Sequence, residues 1–218
     1  MYDLHTHTYF SDGVLGLSEL ARRCQVQGYH GLAICDHCDQ ANFEEVARRT
    51  RRFCEQAGGH YGQMQILAGC ELTHVPPEQI GRYVQAARDA GAQVVIVHGE
   101  TMVEPVAPGT NRAAIEAAPD VLAHPGLIAE EDAELAAENG VLLELSGRKG
   151  HSFTNGHVAG TARRCGAPLS FGSDGHAPGD YPTPETARLI LRGAGLSEEE
   201  IQQVFANARE IFERWPVR

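Results

Sequence analysis

Lysine is almost missing from this chain. Lys149 is the only one among 18 basic residues, set against 29 acidic ones, and the formal net charge is −11 at pH 7. A chain so short of positive charge lacks the basic footprint that non-specific nucleic-acid or membrane-surface binding requires. A small anionic substrate is not excluded, because metal cations and a few well-placed arginines invert the local field of a cleft. No apolar run reaches membrane length, and the opening residues show no charged n-region, apolar h-region or cleavage site. The expectation is a cytoplasmic protein with no membrane partner. Pro- or Ser-rich linkers, internal repeats and low-complexity segments are also lacking, so 1–218 reads as one domain. The six cysteines, at 24, 35, 38, 54, 70 and 165, fall mostly in apolar runs or helices rather than in a loop framework, and are read as reduced. Cys35 and Cys38 form a Cys-x-x-Cys pair, but no second pair completes a four-cysteine metal site.

What is present is a regular alternation. After an opening strand-like stretch, apolar runs over 31–37, 65–72, 93–98, 120–124, 141–145 and 169–174 read as buried parallel strands. Helical stripes separate them, over 17–27 (stopped by Gly28), 43–56, 77–90 (stopped by Gly91), 111–118, 130–138 and 156–165. The arginines at 48, 49, 51 and 52 read as a solvated helix face rather than an anion site. Two helices close the chain, one opened by Thr183-Pro184-Glu185 and one by the capping box Ser197-x-x-Glu200. Seven strand and helix units with right-handed crossovers predict an α/β fold, a seven-stranded (β/α)7 relative of the TIM barrel, with an open doubly wound sheet as the alternative.

The strand ends carry the chemistry. In the segment from Asp3 to Gly13, His5 and His7 lie two apart and therefore on one face of a strand, with Asp12 in the next turn. Alone, His-x-His reads equally well as a strand with two incidental histidines. The later strands, however, end in His37, Glu71, His98, His124 and Glu144, and the last in Asp174 and His176. An α/β barrel builds its active site on that rim, so these side chains converge on one face as potential ligands of metal ions. Counting back by two gives the inward face: Ala33, Cys35, Leu67, Gly69, Val94, Ile96, Leu122, Leu142, Ser170 and Gly172. These are small or apolar, as a narrow barrel demands. Asp36 has the opposite parity to His37 and is read as a carboxylate behind the site that orients an imidazole. After the sixth strand, Ser146 to Ser152 holds Arg148, Lys149 and His151 and is the best phosphate clamp, since arginine binds two oxygens at once.

With this set in view the chain resembles, over essentially its whole length, the PHP family, the polymerase and histidinol phosphatase domain superfamily. His5-x-His7 with Ser11-Asp12-Gly13, Asp36-His37, Glu71, His98, His124 and Asp174-Gly175-His176 stand in the family's order. The resemblance implies a distorted seven-stranded barrel and three metal positions. His5, His7, Glu71 and Asp174 would form the first, Glu71 as bridge with His98 and His124 the second, and Asp12, His37 and His176 the third. Some members carry histidine where Asp12 stands, a departure toward a harder ligand that leaves zinc, manganese and iron all open. Two or three divalent transition metals are thus expected. Cations of this kind lower the pKa of a shared water and clamp a phosphate during in-line displacement. Glu71 is expected at the centre of this chemistry, and Asp174 or His176 as the source of the leaving oxygen's proton. The implied activity is hydrolysis of a small phosphate monoester, resembling histidinol phosphate or a nucleotide monophosphate.

Three competitors are weaker. A 3′–5′ exonuclease or other nucleic-acid phosphodiesterase conflicts with the acidic balance and the lack of a basic, aromatic-rich groove. A metal-dependent amidohydrolase also opens with His-x-His, but those enzymes commonly bridge their metals with a carbamylated lysine late in the fourth strand, where this chain has His98. A non-enzymatic metal-binding module would have lost ligands, and none is missing.

Overall fold

The computed structural model describes residues 1–57 and 59–215. Its strands are β1 (Tyr2–Asp3), β2 (Gly31–Ile34), β3 (His37–Cys38), β4 (Gln65–Leu72), β5 (Val94–His98), β6 (Val121–Ala123), β7 (Leu142–Ser146) and β8 (Leu169–Gly172). Its helices are α1 (Leu17–Val26), α2 (Phe43–Ala57), α3 (Pro77–Asp89), α4 (Thr110–Ala117), α5 (Glu130–Asn139), α6 (Asn155–Cys165), α7 (Pro184–Gly193) and α8 (Glu198–Glu213), with a 3₁₀ turn at His151–Thr154. The strands pair in the order β1-β2-β4-β5-β6-β7-β8, all parallel, and β3 pairs with β4 beside β2. The result is a nearly closed barrel of seven parallel strands, in agreement with the (β/α)7 expectation.

The seam between the first and last strands is made by the segments beyond them. His5 O accepts from Asp174 N at 2.9 Å, and His7 N donates to Gly175 O at 3.0 Å. Cys35 N donates to Thr6 O at 2.8 Å, tying the same segment to the end of β2. The residues that close the barrel are therefore those that bear the first ligand-type side chains.

Two apolar layers hold it together. The larger lies between strands and helices and includes Leu20, Ile34, Leu72, Ile80, Val95, Ile115, Leu143 and Phe171. The smaller fills the barrel with Leu4, Ala33, Cys35, Leu67, Val94, Ile96, Val121, Ala123 and Leu142, and α8 closes its floor with Ala208, Ile211 and Phe212. Burying a Leu, Ile or Phe side chain in such layers contributes roughly 1.5–3 kcal/mol.

Two sequence expectations need correction here. The run over 31–37 is not one strand: pairing is interrupted at Cys35 and Asp36, and His37 belongs to the separate segment β3. Leu122 faces the helices rather than the barrel interior, which takes Val121 and Ala123 instead. Counting back from His124 fails because β6 stops at Ala123 and His124 adopts a left-handed φ of 28°. That backbone turn swings the imidazole over the barrel mouth out of strand register. Asp174, just past β8, does the same with φ 51°. Left-handed backbone in a buried non-glycine residue costs on the order of 1–3 kcal/mol and concentrates at functional sites.

Candidate metal centre

The C-terminal rim of the barrel opens into a cleft of about 500 Å³, lined in part by Asp12, His37, His98, Glu104, Arg148 and Asp174. Behind the lining residues lies Glu71, fully buried near the end of β4. Neither of its carboxylate oxygens takes a hydrogen bond. His37 Nδ1 comes within 2.6 Å of Oε2, but its hydrogen bond is with Thr73 Oγ1 at 2.7 Å. A buried carboxylate with both oxygens unsatisfied is costly unless a cation answers it.

Around Glu71 the donor atoms fall into groups. His5 Nε2 and His7 Nε2 stand 3.0 Å apart, and Glu71 Oε2 lies 3.4 Å from the first of them. Asp174 Oδ1 lies 3.3 Å from His7 Nε2. Atoms bound at about 2.1 Å to a tetrahedral ion stand roughly 3.4 Å apart, so His5, His7 and Glu71 have the spacing of one coordination sphere, with Asp174 beside His7. Glu71 Oε1 faces the other way, 3.7 Å from His124 Nε2, and with His98 makes a second group. Asp12 Oδ1 lies 3.5 Å from His37 Nε2 and 3.0 Å from His176 Nε2, a third group that His7 also adjoins. The nine residues expected as ligands thus lie at one end of the barrel, but not in the expected partition throughout: His7 also joins Asp12, His37 and His176, and Asp174 groups with His124 and His151.

Outer partners set the imidazoles. His5 Nδ1 donates to Glu144 Oε1 at 2.8 Å, and the other oxygen of Glu144 accepts from His124 N at 3.0 Å. His98 Nδ1 donates to Gly99 O at 3.1 Å. In both rings Nδ1 is thereby engaged, and Nε2 is the nitrogen left to meet a metal. Burial, followed by the charges of His37 and His5, holds His7 well below the ordinary histidine pKa. Burial and the neighbouring His98 and His151 do the same for His124. Burial disfavours ionised Glu71, but His5 and His37 outweigh it and keep its pKa well below the usual carboxylate value. For His5, His37 and His98 burial is outweighed by the carboxylates beside them and the pKa is raised, so a bound cation would take the place of the protons this set holds.

Other expected site residues sit differently. Asp36 does not orient an imidazole: its carboxylate accepts from Thr8 N at 2.6 Å, Thr8 Oγ1 at 2.7 Å and Ser11 Oγ at 2.8 Å. It therefore fixes the turn that carries Asp12. Arg148 lines the cleft, with Nη1 donating to Asp174 O at 3.2 Å and lying against His176 Nδ1. Lys149 is exposed and is not among the residues that line the cleft, which leaves Arg148 as the cation of that pair at the site. His151 is buried, stacked on His124 with ring centroids 4.0 Å apart. It belongs to the floor of the site rather than to a flexible loop. Glu104 was not anticipated; it lies 3.0 Å from His98 Nε2 and 3.4 Å from His151 Nε2. The only trace of it in the sequence is an acid placed between Val103 and Pro105, shortly after a ligand-bearing strand end.

The PHP domain family model matches residues 3–151. The chain belongs to the PHP family. An uncharacterized protein of Methanocaldococcus jannaschii is 41% identical over 215 residues, 98% of this chain and 99% of that one. A 5′-3′ exoribonuclease of Haemophilus influenzae is 50% identical over 72 residues, 33% of this chain but 23% of that enzyme. Among solved structures, histidinol phosphate phosphatase from Lactococcus lactis, crystallised with zinc, L-histidinol and phosphate, superposes with a TM-score of 0.62. It shares 15% sequence identity, over 90% of this chain and 94% of that one. Family, fold and the clustered His, Glu and Asp side chains together identify a metal-dependent hydrolase of the PHP type. Among the described residues no helix is long and apolar enough to cross a membrane.

Proposed function

We propose that this PHP protein is a phosphoesterase that hydrolyses a small phosphate monoester with two or three divalent transition metals, zinc, manganese or iron. The observation that carries the reading is Glu71, buried with two unsatisfied oxygens facing separate histidine groups, beneath a cleft edged by a guanidinium. His5, His7, Glu71 and Asp174 would hold one ion, Glu71, His98 and His124 a second, and Asp12, His37 and His176 a third. Bound ions would supply Lewis acidity, lowering the pKa of the attacking water and neutralising phosphate charge.

The chain's own groups do the rest. Arg148 is the one guanidinium lining the cleft among the described residues, and it docks the charged, non-bridging phosphate oxygens. Its hydrogen bond to Asp174 O fixes its approach, which orients the phosphate over Glu71. Asp174 or His176, at the edge of the same cleft, delivers the proton to the leaving oxygen. The cleft is small and its surroundings are acidic, in keeping with a compact substrate such as an amino-alcohol phosphate or a nucleotide monophosphate.

A second reading is favoured by the short match to the exoribonuclease: hydrolysis at the end of a nucleic acid. The net charge of −11 weighs against it. A screen of sugar phosphates, amino-alcohol phosphates, nucleotides and oligonucleotides with added Mn²⁺ or Zn²⁺ separates the two. Release of phosphate from a small monoester supports the phosphatase, and products confined to oligonucleotide ends support the nuclease. For the preferred monoester, Arg148→Ala is expected to lower kcat/KM by roughly 10–100-fold, the worth of a charged hydrogen bond to phosphate. Unchanged kinetics would remove Arg148 from the substrate site.

A further inference from the structure

We infer that Glu104 is an additional carboxylate ligand to the ion that His98 and His124 would hold, a ligand supplied by the loop between β5 and α4. The inference rests on the metal-centre reading above and adds a residue that none of the three strand-end groups contains.

Geometry comes first. Glu104 Oε2 stands 3.0 Å from His98 Nε2, the nitrogen left free to meet it once Nδ1 donates to Gly99 O. At that separation a proton on Nε2 joins the two groups in the metal-free chain, and a bound cation would take its place between them. Their separation is close to the edge of a coordination sphere, where ligand atoms stand roughly 3 Å apart. The second oxygen, Oε1, lies 3.4 Å from His151 Nε2, and His151 is itself held by Thr101 Oγ1 at 2.7 Å. Thr101 and Glu104 come from one loop, so that loop engages the site through two side chains.

The loop is built to hold this position. Glu100 Oε1 accepts from Gly109 N at 3.0 Å and from Asn111 N at 2.9 Å, while Asn111 Oδ1 takes Glu100 N at 2.9 Å. Asn111 Nδ2 donates to Pro125 O at 2.8 Å, fastening the loop to the end of β6. Pro105 and Pro108 restrict the backbone between these anchors. Within it, Met102 is 62% and Val103 47% exposed, while the charged side chain that follows turns inward to the cleft. Solvation alone would arrange those three residues the other way round. The Glu104 carboxylate keeps part of its surface in solvent, and its two oxygens are spent on the imidazoles of His98 and His151.

A carboxylate added to Glu71, His98 and His124 raises the negative charge of that group and hardens its ligand set. Loss of Glu104 therefore weakens one ion and spares those whose ligands it does not touch.

The test uses the full chain stripped of metal and titrated calorimetrically with Mn²⁺ and, separately, Zn²⁺, with metal content measured after gel filtration. Glu104→Gln is expected to lose at least tenfold in affinity for one ion, with the remaining ions bound as in the wild type. Glu100→Ala, which unties the loop and leaves the Glu104 carboxylate in place, is expected to weaken the same ion to a smaller degree. Equal stoichiometry and equal affinities in wild type and Glu104→Gln would overturn the inference, whatever happens to turnover. A wild-type chain that binds no ion would instead overturn the metal-centre reading beneath it.

Discussion

Asp3 lies fully buried at the seam of the barrel, where Oδ1 accepts from His5 N and from Ser173 N, both at 3.1 Å. Its other oxygen has no partner. Burial raises its pKa to about 6, only partly countered by those hydrogen bonds. A carboxyl whose folded-state pKa is raised stabilises the fold most below its unfolded value near 4 and loses that contribution as pH rises to about 6. About two pKa units correspond to roughly 3 kcal/mol. In metal-free protein, Asp3→Asn should therefore gain stability relative to wild type as pH rises from 4 to 7, by up to that amount, in urea melts. A difference independent of pH would show that Asp3 stays ionised in the fold. The same residue shows how a strand of two residues is fixed: its side chain supplies acceptors to the backbone where the ladder ends.

At the scale of the elements, each strand places a side chain on the rim, and β8 shows how narrow the tolerance is. A Cβ on Gly172 would stand 2.0 Å from Glu144 Oε1 and 2.7 Å from His5 Cβ. Gly172→Ala must displace the carboxylate that fixes the His5 ring. It is expected to cost about 1–3 kcal/mol of stability from overpacking, and about 10–100-fold in metal affinity from the lost outer partner. Thermal melts with and without metal, beside a metal titration, separate the two effects; a variant with wild-type affinity would mean that Glu144 does not set His5. The helices and strands were legible because their apolar periods are unbroken: α3 was expected over 77–90 and is Pro77–Asp89. The ligand-type residues were legible because strand ends define a rim. What escaped depended on backbone that leaves the regular path. The break at Cys35 and Asp36 divides β2 from β3, and the left-handed φ of His124 reverses the parity of β6. Asp36 found hydroxyls and a backbone N–H of the turn after β1 rather than a ring, and a one-dimensional count does not bring that turn beside it. Glu104 escaped because a loop residue has no period to betray which way it points.

For the molecule as a whole, an acidic chain concentrates its histidines at one end of a barrel around one buried carboxylate. The net charge of −11 would repel an anion, and only a local excess of positive charge at that end makes a phosphate monoester a plausible guest. Bound ions would supply that excess, so fold, charge and proposed activity all turn on Glu71. The most direct measurement is the metal content of the purified chain by elemental analysis, beside phosphate release from its best small monoester, in wild type and Glu71→Gln. The account predicts two or three transition-metal ions per wild-type chain and a variant that loses both bound metal and turnover. A metal-free wild type that still turns over, or a Glu71→Gln variant with full metal and full activity, would contradict it.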